Sequence, residues 1–537
     1  MDKGVNNNDT TGFRTDGTVN RQSAYVNSFL PGGFYAAGSA ILLTLAFPGP
    51  GLDWLCWVAL VPLMVGVHGT APRRSFYLGL TTGAIHFVLL LYWIVPTIRT
   101  YGEIPLVLCV FVLALLASYL ALYVGLFSVG MAFFPGNSMW MPVWAGVLWV
   151  GGEYLRASLF TGLPWGLLGH CLYQRTSMIQ IADLFGVYGI SFVIVMVNAA
   201  LAGVWILARK KTGPGVLALS MIPCLLALVL VFSYGRMRQV EVALAMDDAQ
   251  RTRVSVLQGN ISQADKWDDQ YKESTLDTYC DLVLKAAEDD PDLIVFPETA
   301  LPFYYGLEKA ISDRVDRCIR QAKTWFIVGS PALKENSQGY AYYNRAYMID
   351  GFSVPRGQYD KIHLVPFGEY VPLGRYLPFL GKLTAQAGNF SSGDKQALPL
   401  EYAGGSAGML ICFEVIFPGL ARDMANRGAK ILVTITNDAW FGRTSAPVQH
   451  FSMAVFRAVE NRRAVVRAAN TGISGFIDPL GNIDAATDLY TRTSITRSLA
   501  IVDIITLYSL AGDWFAVICI VAIALGFMVK RKIKKVL

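Results

Sequence analysis

The chain is 537 residues long and carries 45 Lys+Arg against 39 Asp+Glu, a formal net charge of +6 that leaves no electrostatic footprint for nucleic acid. Hydrophobic residues make up 54% and charged residues 16%, against roughly 25% charged in soluble domains, and mean hydropathy is +0.42. Disorder is excluded, an ordinary soluble enzyme fits poorly, and a membrane protein fits well.

A membrane-crossing helix needs about 20 mostly apolar residues. Stretches 29–47, 52–67, 76–98, 104–133, 139–159, 179–208, 216–234 and 514–529 approach or exceed that length, which predicts about eight spans, the second of them short. Basic residues cluster before the first span (Lys3, Arg14, Arg21), after the second (Arg73, Arg74), after the sixth (Arg209, Lys210, Lys211) and after the last (Lys530, Arg531, Lys532, Lys534, Lys535). All these clusters then fall on one side, and Lys and Arg near span ends stay cytoplasmic. Both termini are expected inside and segment 236–510 outside. Residues 1–28 lack an A-x-A-like cleavage site and an apolar core of their own, so they read as a polar cytoplasmic tail. The expected order is that tail, a bundle of about seven spans over 29–235, an exterior domain over 236–510, and a closing helix with a basic tail over 511–537.

Glu153 and Arg156 share a helical face at i,i+3 spacing, which predicts either an ion pair near the interface or the lining of a lipid-headgroup cavity. The string FTGLPWGLLGH over 160–170 mixes Gly and Pro with aromatics and reads as a re-entrant or interfacial segment. Cys56, Cys109, Cys224 and Cys519 lie in predicted spans; Cys171, Cys280, Cys318 and Cys412 are exterior, where spacing specifies no disulfide. The five His residues form no ligand-spaced pair, so neither metal nor cofactor is expected.

The exterior segment alternates β-rich runs with helix-like runs such as 449–463. The β-rich runs are RVSVLQ from 253, DLIVF from 292, WFIVGS from 325, NRAYMI from 344, GMLICF from 408, KILVTITN from 430, AVVRAAN from 464, SGFIDP from 474 and LAIVDI from 499. Near-continuous apolar runs belong to strands covered on both faces, so the class is α/β with layered sheets and helices. Strand ends hold reactive side chains rigid yet accessible. Cys412 and Glu414 stand at the end of GMLICFE, Glu298 at the end of DLIVFPE, and Lys361 and Glu369 in KIHLVPFGEY. A thiol, a carboxylate and an ammonium are what covalent acyl transfer requires: nucleophile, general base, and a cation for the developing oxyanion.

The strings PET at Glu298, KIHLVPFGEY at Lys361, CFE at Cys412 and NDAWF over 437–441, in that order, resemble the Glu-Lys-Cys arrangement of the nitrilase, or carbon-nitrogen hydrolase, superfamily. With the apolar half and LRASLFTGLPWGLLG before the sixth span, the chain resembles the apolipoprotein N-acyltransferase family over nearly its whole length beyond the tail. The resemblance implies a membrane α-helical bundle joined to a periplasmic α/β domain, an αββα four-layer sandwich of nitrilase type, at the inner membrane of a Gram-negative cell. It implies that Cys412 takes an acyl chain from a phospholipid as a thioester and passes it to the α-amino group of the diacylglyceryl-cysteine of an apolipoprotein, with ping-pong kinetics.

Carried over by motif, Glu298 is the general base, and Lys361 with the Phe413 backbone N–H steadies the oxyanion. Glu369 orients Lys361, Glu414 matches the acidic residue after the nucleophile, and Trp267 and Trp440 shape the substrate site. Phe413 departs from the family's common Tyr, so a hydroxyl there is not essential to this chain. Residues 370–394 are rich in aromatic and aliphatic side chains broken by Gly and Pro; they read as a lid in the outer leaflet, with Leu377, Phe379 and Leu383 touching lipid. A membrane-tethered amidase would share Glu298, Lys361 and Cys412 but use water in its second step; a tether needs one span, not about eight. A non-catalytic transporter is disfavoured by the complete residue set and by the lack of paired broken spans. Nothing in the sequence demands more than a monomer.

Overall fold

The computed structural model describes residues 20–133, 139–209, 214–336, 339–370 and 390–536. The apolar stretches form helices α1 (Asn20–Ala46), α2 (Val61–Val67), α3 (Pro72–Leu90), α4 (Ile94–Gly102), α5 (Leu106–Ala132), α6 (Met141–Ser158), α7 (Thr176–Ile179), α8 (Ala182–Phe185), α9 (Val187–Arg209) and α10 (Pro214–Asp247). Proline opens α2, α3 and α6, where its missing N–H has no intrahelical partner to lose. Among the described residues, α5, α9 and Met221–Asp247 of α10 are long and apolar enough to cross a membrane; α3 and α4, bent by 51°, add a fourth if they form one span. Stretch 52–67 is not a single helix, because a 3₁₀ turn over Asp53–Trp57 precedes α2. Helices α3 and α5 touch at their backbones: a Cβ on Gly83 would stand 2.7 Å from Ala121 Cα.

Segment 160–170 is irregular; Phe160 and Thr161 are exposed, and from Pro164 onward it runs through protein, with Trp165 and Leu167 buried. Away from water each of its backbone groups needs an internal partner. Arg156 Nη1 donates to the carbonyls of Leu163 (3.3 Å) and Trp165 (2.7 Å), and Nη2 to that of Gly166 (3.1 Å). Glu153 Oε1 accepts from the Leu168 N–H (2.7 Å) and from Trp149 Nε1 (3.0 Å). The two side chains thus hold the broken backbone instead of pairing, and both line a cavity with His86, Phe87 and Tyr123.

After α10 the chain builds β1 (Arg251–Gln258), α11 (Lys272–Ala287), β2 (Leu293–Val295), α12 (Lys309–Ala322), β3 (Trp325–Asn336), β4 (Gly339–Ile349), β5 (Pro355–Asp360), β6 (Leu400–Tyr402) and β7 (Gly405–Ile411). It continues with α13 (Pro418–Asn426), β8 (Ile431–Thr436), α14 (Ala446–Asn461), β9 (Ala464–Ala469), β10 (Gly475–Ile477), β11 (Ile483–Ala486), β12 (Thr493–Ala500), α15 (Leu507–Ala511) and α16 (Trp514–Val536). The strands form two six-stranded sheets, β12-β1-β2-β3-β4-β5 and β11-β10-β9-β8-β7-β6. The parallel strands β1, β2 and β3 lie at the centre of one and β7, β8 and β9 at the centre of the other.

Because side chains alternate along a strand, each sheet has two apolar faces. Val256, Val295, Ile327 and Met348 share one buried cluster with Met409, Ile411, Val433 and Val466 of the second sheet. Leu257, Ile294, Phe296 and Val328 turn the other way, onto Leu276, Tyr279, Val283 and Ile319 of α11 and α12. Helices α13 and α14 lie against β7 and β9 of the second sheet, which makes four layers: helices, sheet, sheet, helices. Each predicted run overlaps a strand, although LAIVDI does so only at Leu499 and Ala500 of β12.

Candidate active site

Glu298 leaves the end of β2 almost fully buried. The turn after it is sharp: Thr299 has φ 45°, left-handed and unusual for a β-branched residue. Gly329 on β3 makes room for it. A Cβ at position 329 would stand 2.6 Å from Thr299 N and 3.0 Å from Glu298 Cα, and would collide with the Pro297 carbonyl. Glu298 Oε1 accepts from Asn344 Nδ2 (2.7 Å) and lies 3.5 Å from Lys361 Nζ, while Oε2 accepts from the Asn437 backbone N–H (2.9 Å).

Lys361 follows β5 directly and is 1% exposed. Its ammonium donates to Glu369 Oε1 at 2.8 Å. Burial works against that charge, but Glu369 and Glu298 hold the ammonium above the usual lysine value. Glu369 is fixed in turn by the Val365 N–H (2.8 Å) and Asn344 Nδ2 (3.3 Å).

Cys412 follows β7 with φ 54°, so the nucleophile candidate also sits at a left-handed turn. Burial and the Glu298 charge push its thiol up, while Lys361 and a hydrogen bond from Thr436 pull it down. The thiol is therefore protonated at rest and needs a base. Just behind it, Glu414 accepts from the N–H groups of Ile411 (2.6 Å), Ile362 (2.6 Å) and His363 (3.0 Å) and from Tyr359 OH (3.0 Å), tying the thiol's turn to the Lys361 loop. Burial raises the Glu414 carboxyl to about 7 against the pull of those N–H groups.

The structure thus brings Glu298, Lys361, Glu369 and Cys412 into one buried cluster next to the strand ends, with Glu414 bracing it. The Phe413 ring packs against Phe417, centroids 5.3 Å apart. Trp267 is 47% exposed. The Trp440 ring meets Tyr101 of α4 edge-on at 4.7 Å, its carbonyl accepts from Thr97 Oγ1 (3.0 Å), and Tyr101 OH donates to the Ala439 carbonyl (3.0 Å). Leu377, Phe379 and Leu383 lie outside the described residues. All eight cysteines are free thiols, and no grouping of His, Cys, Asp and Glu among the described residues is arranged to hold a metal ion.

Other groups went unread in the sequence. Asn344 bridges the two carboxylates from the middle of β4; nothing in the run NRAYMI sets it apart from the neighbouring Arg345. Lys266, 3% exposed, donates to the Glu298 carbonyl (3.2 Å) and to Thr299 Oγ1 (2.6 Å). Behind the thiol, His450 Nε2 lies 3.1 Å from the Cys412 carbonyl. A carbonyl can only accept, so Nε2 carries a proton; Nδ1 lies 3.0 Å from Asp438 Oδ1 and 2.9 Å from Arg467 Nη2, which also donates to Asp438 Oδ2 (2.9 Å), so His450, Asp438 and Arg467 form one buried cluster. The His450 ring stacks on Trp165 at 5.5 Å and 23°. The neighbouring Gln449 Oε1 accepts from the indoles of Trp165 (2.8 Å) and Trp93 (3.3 Å). Two consecutive residues of α14 therefore fasten the thiol's turn to the helical half.

Paired sheets between helix layers, with carboxylate, ammonium and thiol at strand ends, define the carbon-nitrogen hydrolase class, and the family model described as Carbon-nitrogen hydrolase matches residues 253–507. Residues 39–200 match the model described as Apolipoprotein N-acyltransferase N-terminal domain. The chain belongs to the apolipoprotein N-acyltransferase family. It is 40% identical to the Apolipoprotein N-acyltransferase of Geobacter metallireducens over 90% of this chain and 92% of that one. It is 31% identical to that of Methylococcus capsulatus over 93% of this chain and 96% of that one. Among solved structures it is similar to a carbon-nitrogen hydrolase from Helicobacter pylori, with TM-score 0.36 and 17% identity over 47% of this chain and 90% of that one. The chain is thus an enzyme of this family and, with its long apolar helices, a membrane protein.

Proposed function

We propose that this enzyme transfers an acyl chain from a membrane phospholipid to the N-terminal α-amino group of a diacylglyceryl-cysteine on an apolipoprotein, through a thioester on Cys412. The observation that carries this reading is the joint between the thiol's surroundings and the helices: the turn over 438–441 rests on α4, and His450, bonded to the Cys412 carbonyl, stacks on Trp165. A soluble amide would need no such joint.

In the first step Glu298 takes the thiol proton as sulfur attacks the ester carbonyl. Lys361 and the Phe413 N–H meet the developing oxyanion. Because Glu369 already holds Lys361, little reorganisation is needed at that moment. Collapse expels the lysophospholipid, whose oxygen takes the proton from Glu298. In the second step the amine attacks the thioester, Glu298 receives its proton, and collapse returns the thiol.

The same reading places about eight spans in a bacterial inner membrane, with a cytoplasmic tail over 1–28, a bundle over 29–235, a periplasmic catalytic domain over 236–510, and a closing helix and basic tail over 511–537, in a monomer. The basic clusters at span ends support it. Trp267 and Trp440 flank the substrate path, the latter supported by its contact with α4, and the 370–394 lid with Leu377, Phe379 and Leu383 guides the lipid chains.

Mass spectrometry of the protein incubated with phospholipid tests the chemistry. An acyl adduct on Cys412, absent in Cys412→Ala and discharged only by a diacylated lipopeptide, is expected; rapid discharge by water alone would make the enzyme a hydrolase. For the orientation, a reporter fused after Lys211 should behave as cytoplasmic and one fused near Ser337 as periplasmic, and the reverse pattern would overturn it.

A further inference from the structure

The pocket contains a second buried ammonium to which the acyl-transfer scheme assigns no work. Lys266 is as deeply buried as Lys361, yet it makes no ion pair through its own hydrogen bonds. It donates to the Glu298 main-chain carbonyl and to the hydroxyl of Thr299, the residue held in the left-handed turn. A strained backbone survives only where its surroundings over-determine it, and these two bonds bear directly on the turn that aims the carboxylate.

Charge supplies a second argument. Glu298 and Glu369 bring two negative charges into the pocket and Lys361 returns one positive charge. A buried set with an unbalanced charge is costly, and Lys266 provides the missing cation. The charges that act on it are those of Glu298 and Cys412, the two groups between which a proton must pass. Lys361 meets the Glu298 carboxylate and pairs with Glu369, and Asp265 and Asp268 flank Lys266 along the chain.

We propose that Lys266 is a positioning residue of the acyl-transfer reaction: its hydrogen bonds fix the Glu298 turn, and its charge stabilises the single negative charge that Glu298 and Cys412 share. Burial lowers the Lys266 ammonium to about 8, against the pull of Glu298 and Cys412. The favourable charge is therefore full at neutral pH and fades as pH rises through that value.

The test is single-turnover thioester formation on Cys412 from a diacyl phospholipid in detergent micelles, followed by intact-protein mass spectrometry across pH. Lys266→Gln keeps hydrogen-bond donors without the charge; Lys266→Met removes both. At pH 7 the rate is expected to fall about tenfold in Lys266→Gln and about a hundredfold in Lys266→Met, the rising limb of both profiles moving up by about one pH unit. The wild-type falling limb near pH 8 should be missing from both. A residue that merely fills the core would change the melting temperature and leave the pH profile in place, and a wild-type profile in Lys266→Gln overturns the inference. If Lys266→Met does not fold, Lys266→Gln decides. The inference rests on the thioester reading, but the two fail differently: a wild-type protein that forms no adduct sinks the thioester, whereas a wild type that acylates alongside Lys266 variants with unshifted profiles sinks only the role of Lys266.

Discussion

Arg156 in the helical half and Lys361 in the sandwich are both nearly inaccessible cations, and they are satisfied in opposite ways. Arg156 donates to backbone carbonyls of the broken segment after α6, while Lys361 donates to carboxylates. Carbonyl dipoles carry no net charge and do not titrate, so Arg156 fixes a shape. Carboxylates titrate and attract a cation strongly, so Lys361 is tied into groups that can exchange protons. A buried cation is therefore read by what receives its hydrogen bonds.

The sharpest way to break this comparison is to neutralise each cation in turn. Lys361→Met is expected to lower the rate of thioester formation by about 10²- to 10³-fold, the usual loss for an oxyanion partner, measured by the appearance of the Cys412 adduct. Arg156→Leu should act on stability first, because the carbonyls of Leu163, Trp165 and Gly166 lose their donor at about 1–3 kcal/mol each. A thermal melt in detergent reads that loss, and the adduct rate below the melt should stay within about tenfold of wild type. Should Arg156→Leu slow acylation as much as Lys361→Met while leaving the melt unchanged, the division between shape and chemistry fails. The smallest effect is assigned to Asn344→Ala, which takes one donor from Glu298 and one from Glu369: a fall of about tenfold in rate, with little change in melting temperature.

Legibility followed the same division. The central strands could be read because burial on both faces leaves a continuous apolar run. Strands β5, β6 and β11 gave no such signal: PRGQYD and IDAA are polar or exposed edges, and LEY is only three residues long. LAIVDI looked like a strand because it is apolar, but pairing with β1 ends at Ala500. Glu298, Lys361, Glu369 and Cys412 were legible because strand ends and motif order mark them. Lys266 was not, since a lysine among aspartates in QADKW reads as a solvated charge until the fold buries it. His450 was set aside for lack of a metal-spaced partner; its partners are a main-chain carbonyl, the Asp438 carboxylate and an arginine brought in from β9.

Gly329 extends this lesson to sequence variation. It carries no side chain that could take part in the chemistry, and by position it is an interior residue of β3. Yet the smallest change the genetic code can make there, one added methyl group, would press on Pro297, Glu298 and Thr299 at once. In a mutational scan position 329 should therefore behave like the pocket itself, intolerant of alanine, while solvent-facing neighbours on the same strand accept many residues. The mutational footprint of this enzyme is wider than the set of side chains that perform its chemistry.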